Sequence, residues 1–299
     1  MTPALRRERT AAWMMVLPAV GTVVLVALFP LAWTLWESFH LHDLRMPWLG
    51  RPFIRLDHYR ALLADARFWG AAWHTALFTA VTVTVELLLG LVLALGLDGI
   101  RRGRGPARVL VLLPWAVPTA VAALIWRFMF EGETGVANHL LTTAGLLDDP
   151  LVWFVGSTSA WIPVMLGDIW KTTPFVALLL LAGLQNIPGS LHEAARIDGA
   201  GAWLRFREIT LPLLAPALLV ALLFRTLDAL RVFDLVYVLT GGGPGTATEP
   251  LSLYAFDSML RNLRFGHGSA ISMTVFVAAF LFALVFIRVT GRSGVRIVE

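Results

Sequence analysis

Of the ionisable residues inside the long apolar stretches of this 299-residue chain, seven are the first candidates for chemistry. Glu86 is the only charge between Phe68 and Leu97, and Asp168 and Lys171 are three apart. Arg225, Asp228, Arg231 and Asp234 repeat that spacing with alternating sign. Residues three apart share a helix face, so Asp168 should pair with Lys171, and each turn of the second series should neutralise the last. A charge held in hydrocarbon costs about 2.5–3.5 kcal/mol, so each of these residues is either a staple between helices or part of a polar path. Other chemistries are excluded. Without cysteine there is no disulfide, thiolate metal site or cysteine nucleophile. The histidines form no HExxH pattern. His40 and His42, the only close pair, read as loop-surface residues, because two imidazoles without further ligands rarely hold zinc. Gly241 to Gly245 lacks the Gly-Lys-Ser/Thr of a nucleotide-binding loop and reads as a tight turn. His74 and Glu86 are twelve residues apart, about 18 Å along a helix, too far for an acid–base pair.

The elements that must position these charges follow from composition. Hydrophobic residues make up 58% of the chain and charged residues 15%, against roughly 45–50% and 25% in soluble domains, so the solvent is lipid. Six stretches reach the roughly 20 apolar residues that cross a hydrocarbon core of about 30 Å. They are approximately 11–36, 68–97, 107–130, 161–184, 210–239 and 269–287. Pro18, Pro114 and Pro174 are tolerable in them, because neighbouring helices or water satisfy the freed carbonyls. The predicted fold class is all-α: a polytopic membrane protein with one transmembrane domain over 1–299, without internal repeats or low-complexity linkers. At 1.5 Å per residue Lys171 and Arg225 lie roughly 20 Å into the core, Asp168 and Asp228 slightly farther and Glu86 near the midplane, so they could share one layer.

The net charge of +4 does not point to nucleic acid, since the basic residues lie between apolar spans rather than on one face. Thirteen of them fall on one side of the membrane: Arg6, Arg7 and Arg9, then Arg101, Arg102, Arg104 and Arg108, then Arg196, Arg205 and Arg207, then Arg288, Arg292 and Arg296. Seven fall on the other, in longer loops where orientation signals weaken, which places both termini in the cytoplasm and 131–160 outside. The first apolar run is too long for a signal peptide and has no clear small-residue cleavage site, so it is read as an uncleaved helix.

Between spans four and five lies a cytoplasmic loop, 185–209. Ser190 followed by Glu193 has the spacing of a capping box and predicts a short helix. Gly199 can adopt the left-handed conformation that ends it, and an amphipathic return segment follows through Trp203, Phe206 and Ile209 to Leu211 and Pro212. The pattern E-A-A-x-x-D-G-A from Glu193 to Ala200, with Phe206, Ile209, Leu211 and Pro212 after it, resembles the EAA loop of permease subunits in bacterial binding-protein-dependent ABC importers. Phe233, Asp234, Tyr237, Leu239, Thr240 and Gly241 to Pro244 look like a signature of the carbohydrate branch, the maltose and glycerol-phosphate type. Trp170, Lys171, Thr172, Thr173, Pro174 and Phe175 look especially like the trehalose importer permeases of actinobacteria. The resemblance covers almost the whole chain, but the extra N-terminal helices and large outside domain of enterobacterial maltose-type subunits are absent, so docking geometry does not carry over.

The resemblance implies a six-helix, type I, maltose-permease-like fold in the bacterial inner membrane. The chain would be a non-catalytic subunit working with a second permease, two ATPase subunits and an extracytoplasmic sugar-binding protein, with ATP and magnesium held by the ATPases. Ser190, Glu193, Ala194, Ala195, Asp198 and Gly199 would form a coupling helix gripped by the ATPase, whose closure alternates access to a central site. A sugar there needs donors, acceptors and flat apolar faces. Glu86, Asp168, Trp170, Lys171, Asn186, Arg225, Asp228, Arg231, Phe233, Asp234 and Tyr237 are the candidates. The competing expectations are glycerol-phosphate uptake, an ATP-independent secondary transporter using the intramembrane charges as ion sites, and an intramembrane hydrolase.

Overall fold

The computed structural model describes residues 3–100 and 103–292. Arg101, Arg102 and Arg296 lie outside them, as do the side chains of Arg6, Arg7, Arg9, Arg104 and Arg292. Among the described residues the chain is helical, with two isolated β-bridges, His40 to Phe53 and Asp43 to Arg264. Helix α1 (Pro3–Val23) passes through a π-helical turn, Val24–Leu28, into α2 (Phe29–Ser38). Then come α3 (Asp57–Leu63), α4 (Ala66–Gly99), α5 (Arg104–Ala116), α6 (Thr119–Met129), α7 (Val136–Thr143) and α8 (Trp161–Gln185). They are followed by α9 (Gly189–Ile197), α10 (Ala202–Arg205), α11 (Leu211–Ala229), α12 (Asp234–Leu239), α13 (Leu251–Phe256) and α14 (Phe265–Arg292).

Five stretches among these are long and apolar enough to cross a membrane: Trp13–Ser38, Ala66–Gly99, Trp161–Gln185, Ala202–Ala229 and Phe265–Gly291. Two expected spans are not continuous helices. The third, 107–130, is α5 and α6 bent by 85°, because Val117 is extended and Pro118 has no N–H to continue the helix. The fifth, 210–239, starts earlier and stops sooner: α10, a π-turn (Phe206–Thr210) and α11 run together from Ala202 to Ala229, and a break precedes α12. The return segment of the loop is therefore the first part of that span.

The described residues form two compact units. The first comprises Met1–Asp65 and Tyr254–Phe276. Within it the end of α2 is knitted to the following loop by polar contacts: Glu37 pairs with His42, and Ser38 Oγ lies 2.8 Å from Tyr59 Oη. His42 is thus drawn into the protein rather than lying on the loop surface as expected. Leu44 N–H donates to Leu263 C=O at 3.0 Å, and Gly266 N–H donates to His42 C=O at 3.1 Å. Arg45 grips Asp43 through Nε at 2.9 Å and Nη2 at 2.5 Å, and this donor pair lowers the Asp43 carboxyl to about 2.

The second unit comprises Ala66–Leu253 and Val277–Glu299, and it holds the candidate site. Along α4 the buried residues are Phe68, Ala71, Thr75, Phe78, Thr79, Thr82, Val83, Glu86, Gly90, Ala94 and Leu97, an i, i+3, i+4 stripe that turns one face inward. At its lower end that face packs on Val176, Leu180, Leu181 and Leu184 of α8 and on Leu214 and Ala221 of α11. The approach depends on small residues: a Cβ on Gly90 would lie 2.5 Å from Val176 Cγ1, and one on Gly183 would lie 2.6 Å from Ala217 Cβ. Close backbone packing of this kind is the main attraction between helices in lipid, where apolar burial from water is absent.

Candidate functional site

Glu86 falls in register with the buried stripe of α4, so the helix carries its carboxylate inward and leaves it 0% exposed. Arg225 occupies the buried stripe of α11 with Leu214, Ala221 and Ala229, and it is 2% exposed. The two meet. Arg225 Nε donates to Glu86 Oε2 at 2.6 Å and Nη2 donates to Oε1 at 2.9 Å. The same guanidinium reaches Asp168 of α8 through Nη2 at 3.1 Å, and Asp228, one turn along α11, through Nη1 at 2.5 Å. Thr172 Oγ1 completes the shell of Glu86, donating to Oε1 at 2.6 Å. A planar guanidinium with donors in a fixed fork can bridge three carboxylates in this way, and a lysine could not. The cluster ties α4, α8 and α11 together from inside the bundle.

Several expected pairings form differently. Asp168 turns to Arg225 rather than to Lys171. Lys171 Nζ instead donates to the carbonyls of Trp115 at 3.2 Å and Val117 at 2.9 Å, the acceptors that the α5–α6 bend leaves without helical partners. The alternating series also stops short. Asp228 is shared by Arg225 and by Arg231, whose Nη2 lies 3.6 Å from Oδ1. Asp234 lies beyond the break as the first residue of α12, where its charge suits the helix N-terminus.

A cavity of about 310 Å³ opens beside this cluster. Asp168, Lys171, Asp228, Arg231 and Asp234 supply its charges, Thr119 and Thr172 its hydroxyls, and Trp115 and Phe233 its aromatic surface. A smaller cavity of about 220 Å³ is lined by Phe175, Phe224 and Arg225 together with Trp115, Thr172, Asp228 and Arg231. Phe233 stacks on Tyr237 with ring centroids 5.3 Å apart, which sets the tilt of the ring that enters the larger cavity. Of the other candidates, Glu86 lies behind Arg225 and does not line it, and Trp170 packs against Trp126 at 6.1 Å. Asn186 is the C-cap of α8, fourteen residues from Thr172, about 21 Å along the helix and away from both cavities. Thr119, Thr172 and Trp115 were not among the residues assigned to the site. The sequence signals for Thr172 are its place one helical turn after Asp168 and within the Trp170–Phe175 motif.

The short helix α9 lies at the other end of α8 and α11. Its N-cap is Pro188 and no side chain caps it, so the expected capping box from Ser190 to Glu193 does not form: Ser190 is already in the first turn. Its C-terminus is well closed. Gly199 has φ +82°, Ala200 N–H donates to Ala195 C=O at 2.8 Å, and Gly199 N–H donates to Arg196 C=O at 3.1 Å, a Schellman pattern. Glu193, Ala194, Ile197 and Asp198 are exposed, Ile197 to 88%.

Residues 86–292 match the family described as binding-protein-dependent transport system inner membrane component. The chain belongs to this family of ABC importer permeases. It is 45% identical over 284 residues to the trehalose/maltose transport system permease protein MalF of Thermococcus litoralis, covering 95% of this chain and 94% of that one. It is 40% identical to the trehalose transport system permease protein SugA of Mycobacterium tuberculosis, covering 96% and 91%. The sulfoquinovosyl glycerol transport system permease protein SmoG of Agrobacterium fabrum is also 40% identical, with 94% and 91% covered. Among solved structures, a bacterial alginate ABC transporter in complex with its alginate pentasaccharide-bound periplasmic protein matches with TM-score 0.82 at 22% identity, covering 96% of each chain. That likeness is one of fold. The permease is thus a multi-pass, non-catalytic membrane subunit of an ABC importer. Its polar cluster, cavities and α9 all fall within the family match, except that residues before Glu86 are outside it.

Proposed function

We propose that this permease forms one half of the translocation path for a neutral disaccharide such as trehalose or maltose. A second permease subunit completes the path, two ATPase subunits holding ATP and magnesium drive it, and an extracytoplasmic sugar-binding protein feeds it. The whole chain acts as one transmembrane permease domain with both termini in the cytoplasm, and α9 is the lever pressed by the ATPase.

The observation that carries the sugar reading is the chemistry of the 310 Å³ cavity. Hydroxyls and carboxylates lie beside aromatic faces, and two cations, Lys171 and Arg231, are set among three carboxylates, Asp168, Asp228 and Asp234. The acids outnumber the cations along this lining, so it carries no excess positive charge to draw a phosphate. This disfavours glycerol-phosphate, although an sn-glycerol-3-phosphate permease of Agrobacterium fabrum is 34% identical. The names of the trehalose and trehalose/maltose relatives support the same choice.

The test is substrate-stimulated ATPase activity of the reconstituted complex, screened over trehalose, maltose and glycerol phosphate. Stimulation by one of the disaccharides is expected. Stimulation by glycerol phosphate alone would overturn the sugar assignment, and uptake that persists with a catalytically dead ATPase partner would overturn the coupling assignment in favour of an ATP-independent carrier.

A further inference from the structure

A third concavity, of about 630 Å³, lies behind α9 and has no part in the transport reading. One wall is formed by Leu91, Val92 and Leu95 from the last turns of α4, and the opposite wall by Trp203 and Phe206, whose rings are 5.6 Å apart. Each wall carries one bare side chain, Val92 at 65% and Trp203 at 72% exposed, beside the half-buried Leu91, Leu95 and Phe206. The rim is cationic. Arg196 projects to it from α9 and forms no ion pair among the described residues, and Arg205 joins it with one donor engaged, Nη1 to Ala200 C=O at 2.7 Å.

The level of this groove follows from helix length. Helix α4 has 34 residues, about 51 Å by rise, against a hydrocarbon core of about 30 Å, so its last turns reach the boundary between acyl chains and headgroups. A tryptophan beside guanidinium groups is the composition found at that boundary. An apolar wall leading to a cationic rim is complementary to an amphiphile with an acyl chain and an anionic head.

The side of α9 that meets the groove adds a consequence. His192 and Arg196, one turn apart, line it, whereas Glu193, Ala194, Ile197 and Asp198 do not. We propose that an anionic phospholipid seats between α4 and α9, with its acyl chain along Leu91, Val92 and Leu95 and its phosphodiester on Arg196 and Arg205. By bracing the inner side of α9, the lipid sets the position from which the lever transmits force. The regulatory half rests on α9 being the lever; the binding half does not.

The test uses the full transporter complex in nanodiscs of phosphatidylcholine, with or without phosphatidylglycerol. In native mass spectrometry, Arg196→Gln should lower retention of phosphatidylglycerol about fivefold, from the loss of one surface cation, while Arg196→Lys keeps it. Phosphatidylglycerol should raise sugar-stimulated ATPase activity of the wild type and of Arg196→Lys, but not of Arg196→Gln. All three should share one rate in phosphatidylcholine alone, which shows that the variants are folded. Equal retention by Arg196→Gln and wild type would overturn the binding site. Reproduction of the effect by soluble glycerol phosphate would overturn the lipid as its ligand. Lost retention with unchanged phosphatidylglycerol stimulation would overturn the regulatory role. A complex that retains the lipid but answers no sugar in any membrane would instead overturn the transport reading.

Discussion

Replacing Arg225 with methionine tests the central cluster most directly. The guanidinium makes four hydrogen bonds to three carboxylates, and their exposures decide what its loss costs. Asp228 is 56% exposed and can turn to water, so its share is about 1 kcal/mol or less. Glu86 is 0% exposed and would keep only Thr172 Oγ1 at 2.6 Å. A buried carboxylate stripped of its partner costs about 3–5 kcal/mol. For a chain of this size each kcal/mol moves the midpoint by about 2–4 °C, so Arg225→Met should lower Tm by roughly 10 °C in a thermal-unfolding assay of the purified complex. Adding Glu86→Leu removes the stranded charge and should recover part of the loss. Recovery should remain incomplete, because Asp168, 13% exposed, still lacks its donor. A single variant melting within about 2 °C of the wild type, or a double variant melting below the single one, would show that the cluster is not what locks α4, α8 and α11 together.

Asp228→Ala should behave differently: assembly and Tm stay near wild type, because the group is half in water, while uptake in vesicles falls about tenfold or more through loss of a charge-assisted hydrogen bond in the cavity; unchanged uptake would remove Asp228 from the path. Gly199→Ala forces a Cβ into φ +82° and should cost about 1–2 kcal/mol at the end of α9. Sugar-stimulated ATPase activity should drop in it and persist in Gly199→Asn, which tolerates that conformation; equal behaviour of the two variants would show that the turn is not what shapes the lever. Outside the spans, Asp43 titrates at about 2 when folded, against about 3.9 in an unfolded chain. Its pairing with Arg45 therefore stabilises fully above about pH 4 and is lost as pH falls through about 2. Tm should decline more steeply across that window in the wild type than in Asp43→Asn, and parallel curves would rule the pair out as an acid-labile contact.

The stretches that pattern alone identified are those where one physical demand dominates. Crossing lipid requires long apolar helices, and Ala66–Gly99 and Trp161–Gln185 lie within a few residues of the expected bounds because each is one unbroken helix. Gly199 was legible for a similar reason: the left-handed turn that closes a helix favours glycine. The capping box was misleading, since S-x-x-E spacing is a local signal and the helix starts from Pro188, two residues earlier. The breaks in spans three and five were also hidden. Proline is tolerated in membrane helices when a neighbour satisfies the freed carbonyls, and whether Pro118 kinks or breaks α5 from α6 depends on a donor that comes from elsewhere in the chain, Lys171 of α8.

Composition, the placement of apolar runs and the E-A-A-x-x-D-G-A segment determine that this is a membrane permease with a short helix between its fourth and fifth spans, because each depends on residues close in sequence. Which charges pair is another matter. Glu86 and Arg225 are 139 residues apart, and their meeting depends on two helices turning their buried stripes toward each other with Gly90 admitting α8 close beside Glu86. A spacing of three along one helix promised Asp168 to Lys171. The packed bundle gave each a better partner, because in a low-dielectric interior a fixed guanidinium and a pair of orphaned carbonyls outweigh a neighbour on the same helix.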